Sequence, residues 1–471
     1  MSHIGAGVPA PAGCLIIGGG PAGLAPLVAA SRDATLAALL ARGVTVVEQS
    51  SAIGAGRIGD YAITSDSTAA TLVSCVTENP GPWLTGLRTH PAALAVAAYG
   101  QEAVPLHLVG AFMAALGAVL QARLAATPGC AVLTGHQAMQ ARQLPGGGWA
   151  VTLRCRADDT TRIVHARHVV LALGGHQPAA VLEQYDAAGT ALLPAFAQKL
   201  VPSGVALTVP GLVHIASRLG ASGRAVIIGS SSSAIATANA LLRRTPSGVR
   251  VTVLHRRALR VFYPSAAAAL ADGYAAFGPQ DICPVSGFVY RFAGFRLESR
   301  ALVQHALGIG GRSAPSRLQL HRLTPPLDLA ARRHLEEADV IVPALGYRPR
   351  ALPIISATGQ PIALHADGPG APALVDAQCR VLDAAGAPLP GLFGIGLAAG
   401  FISPALSGGE PSFSGQTNGI WQWQNEVGHL IARQLLPADL NAGSVLVSQG
   451  ALPLGPPPRD LVPWIPATLR V

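Results

Sequence analysis

Two stretches of small residues in this chain could each cradle a pyrophosphate. The first is Gly18-Gly19-Gly20-Pro21-Ala22-Gly23, directly after the apolar run at 14–17. The second is Gly229-Ser230-Ser231-Ser232-Ser233, directly after the apolar run at 225–228. A pyrophosphate needs backbone N–H groups aimed at it and a helix N-terminus behind them, with no side chain holding it off. In the first stretch Gly18 permits the tight turn, Gly20 lets the phosphates come close, and Gly23 lets the helix pack on the strand, while Pro21 and Ala22 open that helix. In the second, Ser231 stands where the middle glycine would be. Its hydroxyl can reach a phosphate and its Cβ narrows the approach; Ser230 and Ser233 flank it.

The two stretches lead to different strand ends. The strand-like run 44–47 ends at Glu48, 25 residues past Gly23, where a carboxylate can accept hydrogen bonds from a ribose diol. The run 251–254 instead leads through His255 to Arg256 and Arg257, bases suited to a ribose 2′-phosphate. The first half therefore reads as an FAD site and the second as an NADPH site, with electrons passing from the second to the first. Three shorter runs bring further glycines to the two sites: 169–175 ends at Gly174, 340–347 carries Gly346, and 390–396 ends at Gly396. Ala138, on the strand-like segment 137–144, joins the cofactor-binding set. So do Arg57, which could contact phosphate, and Asp66, which either accepts from the flavin or caps a helix starting near Ser67.

The elements needed to position these residues are those of an α/β chain. Length 471 exceeds one ordinary core. We expect an FAD-binding domain begun by 1–210, an NAD(P)H-binding domain at 211–347, and the remainder of the FAD domain at 348–471. The run 14–17 reads as a strand buried in a parallel sheet, 44–47, 131–134 and 168–173 as further strands, 390–396 as a last strand returning to the first sheet, 137–144 and 149–154 as strands about the turn 145–148, and 202–211 as a linker. Helices are expected over 21–42, over 105–126 with Pro105 at the first helical position, and over 420–436, with a Pro-rich tail beyond at 452–466.

Composition narrows the function classes. Half of the residues are hydrophobic and 12% are charged, which excludes a disordered chain. The net charge of +9, from 33 bases and 24 acids, comes with no basic run or zinc-ligand spacing. The phosphates of two cofactors account for part of it better than a nucleic acid does, and no metal site is expected. The six cysteines form no C-x-x-C pair, so no dithiol relay is expected. The N-terminus has no signal-peptide pattern, and no uninterrupted stretch of about 18 apolar residues predicts a membrane span. These features point to the cytoplasm and leave a homo-oligomer open.

This pairing of motifs resembles the two-dinucleotide-binding-domain flavoproteins, and within them the class B flavin monooxygenases. The N-hydroxylating branch, the ornithine and lysine N-monooxygenases, is the most similar. Gly18-Gly19-Gly20-Pro21 with its long spacing to Glu48, the His214–Ser217 segment ahead of the second motif, and Ala344-Leu345-Gly346-Tyr347 carry the resemblance. It implies two Rossmann-like domains, a glutathione-reductase-like FAD domain with the NADPH domain inserted. It also implies NADPH-dependent reduction of FAD, a C4a-hydroperoxyflavin formed with O₂, and oxygenation of a small nucleophilic substrate, most plausibly N-hydroxylation of an amine. No catalytic side chain is assigned, because the cofactor carries the hard chemistry. The chain lacks the Baeyer–Villiger fingerprint. It has Leu397 where disulfide reductases bind the ribityl chain with Asp, and Phe262-Tyr263-Pro264-Ser265 where the branch carries an Asn-containing substrate segment. Two alternatives stay open: an FAD-dependent NADPH reductase without oxygen activation, and a non-catalytic nucleotide-binding protein.

Overall fold

The computed structural model describes residues 12–437 apart from 185, 188, 325–326, 369–371 and 402–407. The first residues and the Pro-rich stretch 452–466 lie outside the described residues. Two separate sheets carry the two small-residue turns. In the larger, of ten strands, Ala12–Ile17 lies between Val44–Val47 and Thr161–Leu171 and runs parallel to both. Ala131–Leu133 extends this sheet beyond Val44–Val47, and Pro388–Gly394 returns to pair in parallel with the end of Thr161–Leu171. Strand burial reflects this layering. Cys14 to Ile17 and Val44 to Val47 are buried throughout, as strands covered on both faces must be. Trp149–Cys155 and His136–Gln143 continue the sheet as an antiparallel meander, and Trp149 donates its indole N–H to the Pro390 carbonyl at 3.0 Å.

The smaller sheet has four parallel strands in the order Leu318–Arg322, Arg250–His255, Arg224–Ile228, Val340–Pro343. This is the strand order of a mononucleotide-binding unit. The α/β class and the two Rossmann-type sheets expected from sequence are both present. The chain crosses from the large sheet to the small one and back beside a short antiparallel ladder. It pairs Gly175–His176 with Arg348–Pro349, His176 opposite Arg348.

Several local expectations are corrected. The helix expected over 21–42 is two helices, Pro21–Arg32 and Leu36–Leu40, because Ala34 between them takes φ +58°, outside the helical region. Pro105 is the N-cap residue of the Leu106–Ala125 helix and not its first helical residue. That helix is long and apolar enough to cross a membrane by length and composition alone, yet Val109, Phe112, Met113, Leu116 and Leu120 are buried in the large core. The expected linker at 202–211 contains a helical turn, Ser203–Ala206, and the start of the helix Val209–Leu219, capped by Thr208 accepting from Gly211 N–H at 3.1 Å.

Between Arg250–His255 and Leu318–Arg322 the chain makes a long excursion with its own core of Val261, Tyr263, Tyr274, Tyr290, Phe295 and Val303. A polar knot fixes this insert: Tyr263 donates its hydroxyl to Asp272 at 2.7 Å, Gln304 donates to the same carboxylate at 2.6 Å, and Arg312 pairs with it at 2.8 Å.

Asp328 caps the Leu329–Glu337 helix, accepting from Ala331 N–H at 2.9 Å and meeting the His321 ring at 2.8 Å. Burial alone would raise its carboxyl, but these donors and Thr324 N–H outweigh it and hold it at about 2, from 3.8. A carboxyl held down on folding contributes stability above its unfolded value that is lost as pH falls through its folded one. Thermal melts should therefore show an Asp328-dependent loss of stability between pH 3.8 and about 2. Asp328→Ala should lower the melting temperature at neutral pH by the loss of a cap, about 1 kcal/mol, and flatten the pH dependence in that window.

Candidate active site

The first turn has the geometry its glycines suggest. Gly18 sits at φ +101°, and a Cβ there would lie 2.3 Å from the Ala172 carbonyl oxygen. A Cβ on Gly23 would lie 1.8 Å from Gly18 O, so strand and helix touch backbone to backbone. The Pro21–Arg32 helix begins at Gly20 with no side-chain cap, leaving its first N–H groups open. Opposite stands Gly56, whose Cβ would meet Gly20 Cα at 3.2 Å and Pro21 Cδ at 3.3 Å, so the 54–56 loop forms the second wall of a slot with no side chain in it. The end of the last strand closes it, as Gly396 turns at φ +115° beside the Ala22 methyl. Uncapped donors, a slot that side chains would fill, and a carboxylate at the next strand end are what a dinucleotide pyrophosphate and ribose require.

Glu48 is buried, and its carboxylate accepts from Gly19 N–H at 2.7 Å and Ser50 N–H at 2.9 Å. One lone pair per oxygen is thus taken, and the others remain for a diol. His136 N–H donates to Glu48 O at 3.1 Å, bringing Ala138, two residues further on, toward the same edge. Gly174 accepts from Arg350 N–H at 2.9 Å. Arg57 and Asp66 are placed less as expected. Arg57 is exposed and paired with Asp60 at 3.3 Å. Asp66 lies on the Thr64–Thr68 strand and caps nothing; the cap of the next helix, Ala69–Thr77, is Thr68.

The second turn is a looser version of the first. Gly229 takes φ +142°, and its Cβ would fall 2.4 Å from Ala344 O. The Ser231 hydroxyl, expected toward a phosphate, lies 3.3 Å from the Ala344 carbonyl and donates to it. That leaves the Ser232–Arg244 helix N-terminus uncapped, with Ser230 and Ser233 beside it. Arg256 and Arg257 are exposed just past Arg250–His255. Gly346 turns at φ +87° with open space around it. His214 is exposed on its helix, and His176 sits in the inter-sheet ladder, held below its usual pKa by burial and Arg350. Among the described residues, neither ring has a side-chain partner for proton transfer.

A cleft of about 280 Å³ opens between the two halves, and sequence reasoning missed most of it. One wall is a polar stripe running from Asp66 and Ser67 along the Ala69–Thr77 helix through Thr71 and Ser74 to Glu78. Facing it is the insert, with Phe288, Arg291, Phe292 and Arg296. The floor comes from Asn418, Gly419, Trp421, Gln422 and Glu426, at the start of a helix running from Ile420 to Leu435 through a π-helical turn at Trp423–Val427. Ser232, at the second turn, also reaches it. The Asn418 side chain accepts from Ala398 N–H at 3.1 Å, which ties this floor to the end of the flavin-side strand. Burial and the neighbouring Arg291 hold the Arg296 guanidinium below its ordinary pKa, against Asp66 and Glu410. Burial would raise the Cys283 thiol, but donors from Ser286, Arg291 and Gly409 outweigh it and bring it to about 7.

With this geometry in place, comparison with known proteins defines the class. A family model described as FAD-NAD(P)-binding matches residues 15–176. The CMP-5'-(3-aminopropyl)phosphonate hydroxylase of Streptomyces rubellomurinus is 31% identical over 440 residues, spanning 90% of this chain and 97% of the relative. Among solved structures, the cadaverine monooxygenase of Erwinia amylovora superposes with a TM-score of 0.56 at 11% identity, covering 96% of this chain and all of that one. The L-lysine 6-monooxygenase of Pseudomonas syringae gives 0.52 at 16%, covering 90% and 99%. The chain belongs to the class B flavin monooxygenases and shares the fold of their N-hydroxylating branch. It is an oxidoreductase with an FAD- and NAD(P)-binding unit, of one family with that hydroxylase.

Proposed function

We propose that the protein N-hydroxylates a primary amine borne by a small anionic molecule, with FAD on the Gly18–Gly23 turn and NADPH on the Gly229–Ser233 turn. The observation that carries this is the cleft, which is lined both by the carboxylates of Asp66, Glu78 and Glu426 and by the guanidinium groups of Arg291 and Arg296. A cation and an anion on one substrate can both be matched there. The relative's substrate, an aminopropylphosphonate linked to CMP, has both charges. Bound FAD would supply the chemistry that activates O₂; this chain's residues hold the amine, seat the two nucleotides and keep water from the cleft. Glu48 takes the ribose of FAD, and Arg256 and Arg257 take the 2′-phosphate of NADPH. The six cysteines are all unpaired, which fits a cytoplasmic location.

The test is product analysis. Holoenzyme given NADPH, O₂ and CMP-5'-(3-aminopropyl)phosphonate should form a hydroxylamine one oxygen heavier by mass spectrometry, with NADPH consumed in equal amount. Cadaverine, which has no anionic group, should be a poor substrate. NADPH oxidation with no oxygenated product from any amine would leave the reductase reading.

A further inference from the structure

We propose that the insert loop 291–296 is the phosphorus-oxyanion subsite of this cleft, with Arg291 and Arg296 as its binding groups and the buried Glu410 as the residue that positions them. The inference rests on the cleft being the substrate site and assigns which wall takes which end of the molecule.

Two guanidinium groups five residues apart line one wall. The Arg296 guanidinium lies over the Phe262 ring, its Cζ 4.1 Å from the centroid, and donates to the Arg291 carbonyl at 2.5 Å. Arg291 stacks on Phe292 at 5.1 Å and reaches Cys283 Sγ at 3.7 Å. The fork of donors on a guanidinium suits a planar or tetrahedral oxyanion, the geometry in which arginine outperforms lysine.

The loop between them is held from behind. Glu410 is only 3% exposed, and its carboxylate accepts from Phe292 N–H at 3.0 and 3.1 Å and from Ala293 N–H at 2.7 Å. Nearby, Ser412 donates to Asp281 at 2.6 Å, and Gly409 N–H to Cys283 Sγ at 3.2 Å. The two backbone donors hold this carboxylate in place, so it fixes the loop and also sets a negative charge near Arg296. A second, independent observation lies on the opposite wall. Ser74 is 1% exposed, lines the cleft, and its Oγ has no hydrogen-bond partner among the described residues. Buried hydroxyls are rarely left so, and a substrate group in the cleft would satisfy it.

Isothermal titration of FAD-loaded enzyme with 3-aminopropylphosphonate, its CMP ester, γ-aminobutyrate and cadaverine tests this. The wild type should favour the phosphorus compounds over both γ-aminobutyrate and cadaverine. Arg296→Met and Arg291→Met should each weaken phosphonate binding roughly tenfold or more and leave cadaverine unchanged. Glu410→Gln, which puts an amide donor against backbone donors, should weaken phosphonate binding several-fold with FAD retained, and Glu410→Asp should recover part of it. Equal losses for both ligands, no preference in the wild type, or no binding of either phosphorus compound would overturn the subsite. The two readings fail separately. Arginine-dependent phosphonate binding without hydroxylamine product sinks the N-hydroxylation and keeps the subsite. Product formation with binding indifferent to Arg291 and Arg296 does the reverse.

Discussion

Gly23→Ala should yield a colourless protein. The added methyl carbon would sit 1.8 Å from the Gly18 carbonyl oxygen and 3.2 Å from the Ala172 methyl. No flexible side chain can yield there, so either the helix backs away from the strand or the turn at Gly18 opens. Both displace the helix N-terminus from the slot against Gly56. Overpacking of this kind costs up to about 3 kcal/mol, which corresponds to roughly a hundredfold loss of FAD affinity. The purified variant should lack the visible absorbance of bound flavin and should melt earlier even with FAD added. Gly86→Ala is the matched control: its Cβ meets nothing within 4 Å, and it should keep both colour and melting temperature. A yellow Gly23→Ala protein with wild-type affinity would remove the pyrophosphate from this turn.

The second large effect is expected at the other nucleotide. Arg256→Ala with Arg257→Ala should raise KM for NADPH about tenfold, with KM for NADH unchanged. Each charge-assisted bond to phosphate contributes up to about 3 kcal/mol, but both arginines are exposed, and solvent and salt reduce that share. The NADH arm separates a phosphate contact from a general loss of positive field, which would weaken both nucleotides. If KM for NADPH does not move, the two arginines are surface charge.

How much of the molecule was legible in its sequence depends on the distance over which each feature is encoded. The two turns are local: strand, glycine and helix N-terminus succeed each other within about ten residues, and each glycine's role comes from what a Cβ would strike. Glu48 was readable because a strand end fixes where its side chain can go. The cleft was not readable, since its walls come from 66–78, 288–299 and 417–426, and no periodicity links them. Arg291 and Arg296 look like ordinary surface bases until the aromatic residues beneath them are seen. Ser231 misled for a related reason: its type suits a phosphate, but its rotamer answers to the Ala344 carbonyl. The break at Ala34 and the helical turns in 203–219 were lost because short apolar segments with alanine and glycine read equally as helix or connection.

The short ladder between Gly175–His176 and Arg348–Pro349 bears on how the molecule can change. The segment carrying the small sheet and the insert leaves and rejoins the rest of the chain through two strands lying side by side, about 5 Å apart as antiparallel neighbours are. A piece whose two ends meet can be lifted out and replaced by another of different length without stretching the host. The NADPH unit is in that sense a cassette. A chimaera cut at these four residues should exchange the nucleotide preference proposed for Arg256 and Arg257 and the guanidinium wall of the cleft in one step, leaving the Gly18–Gly23 turn as it was.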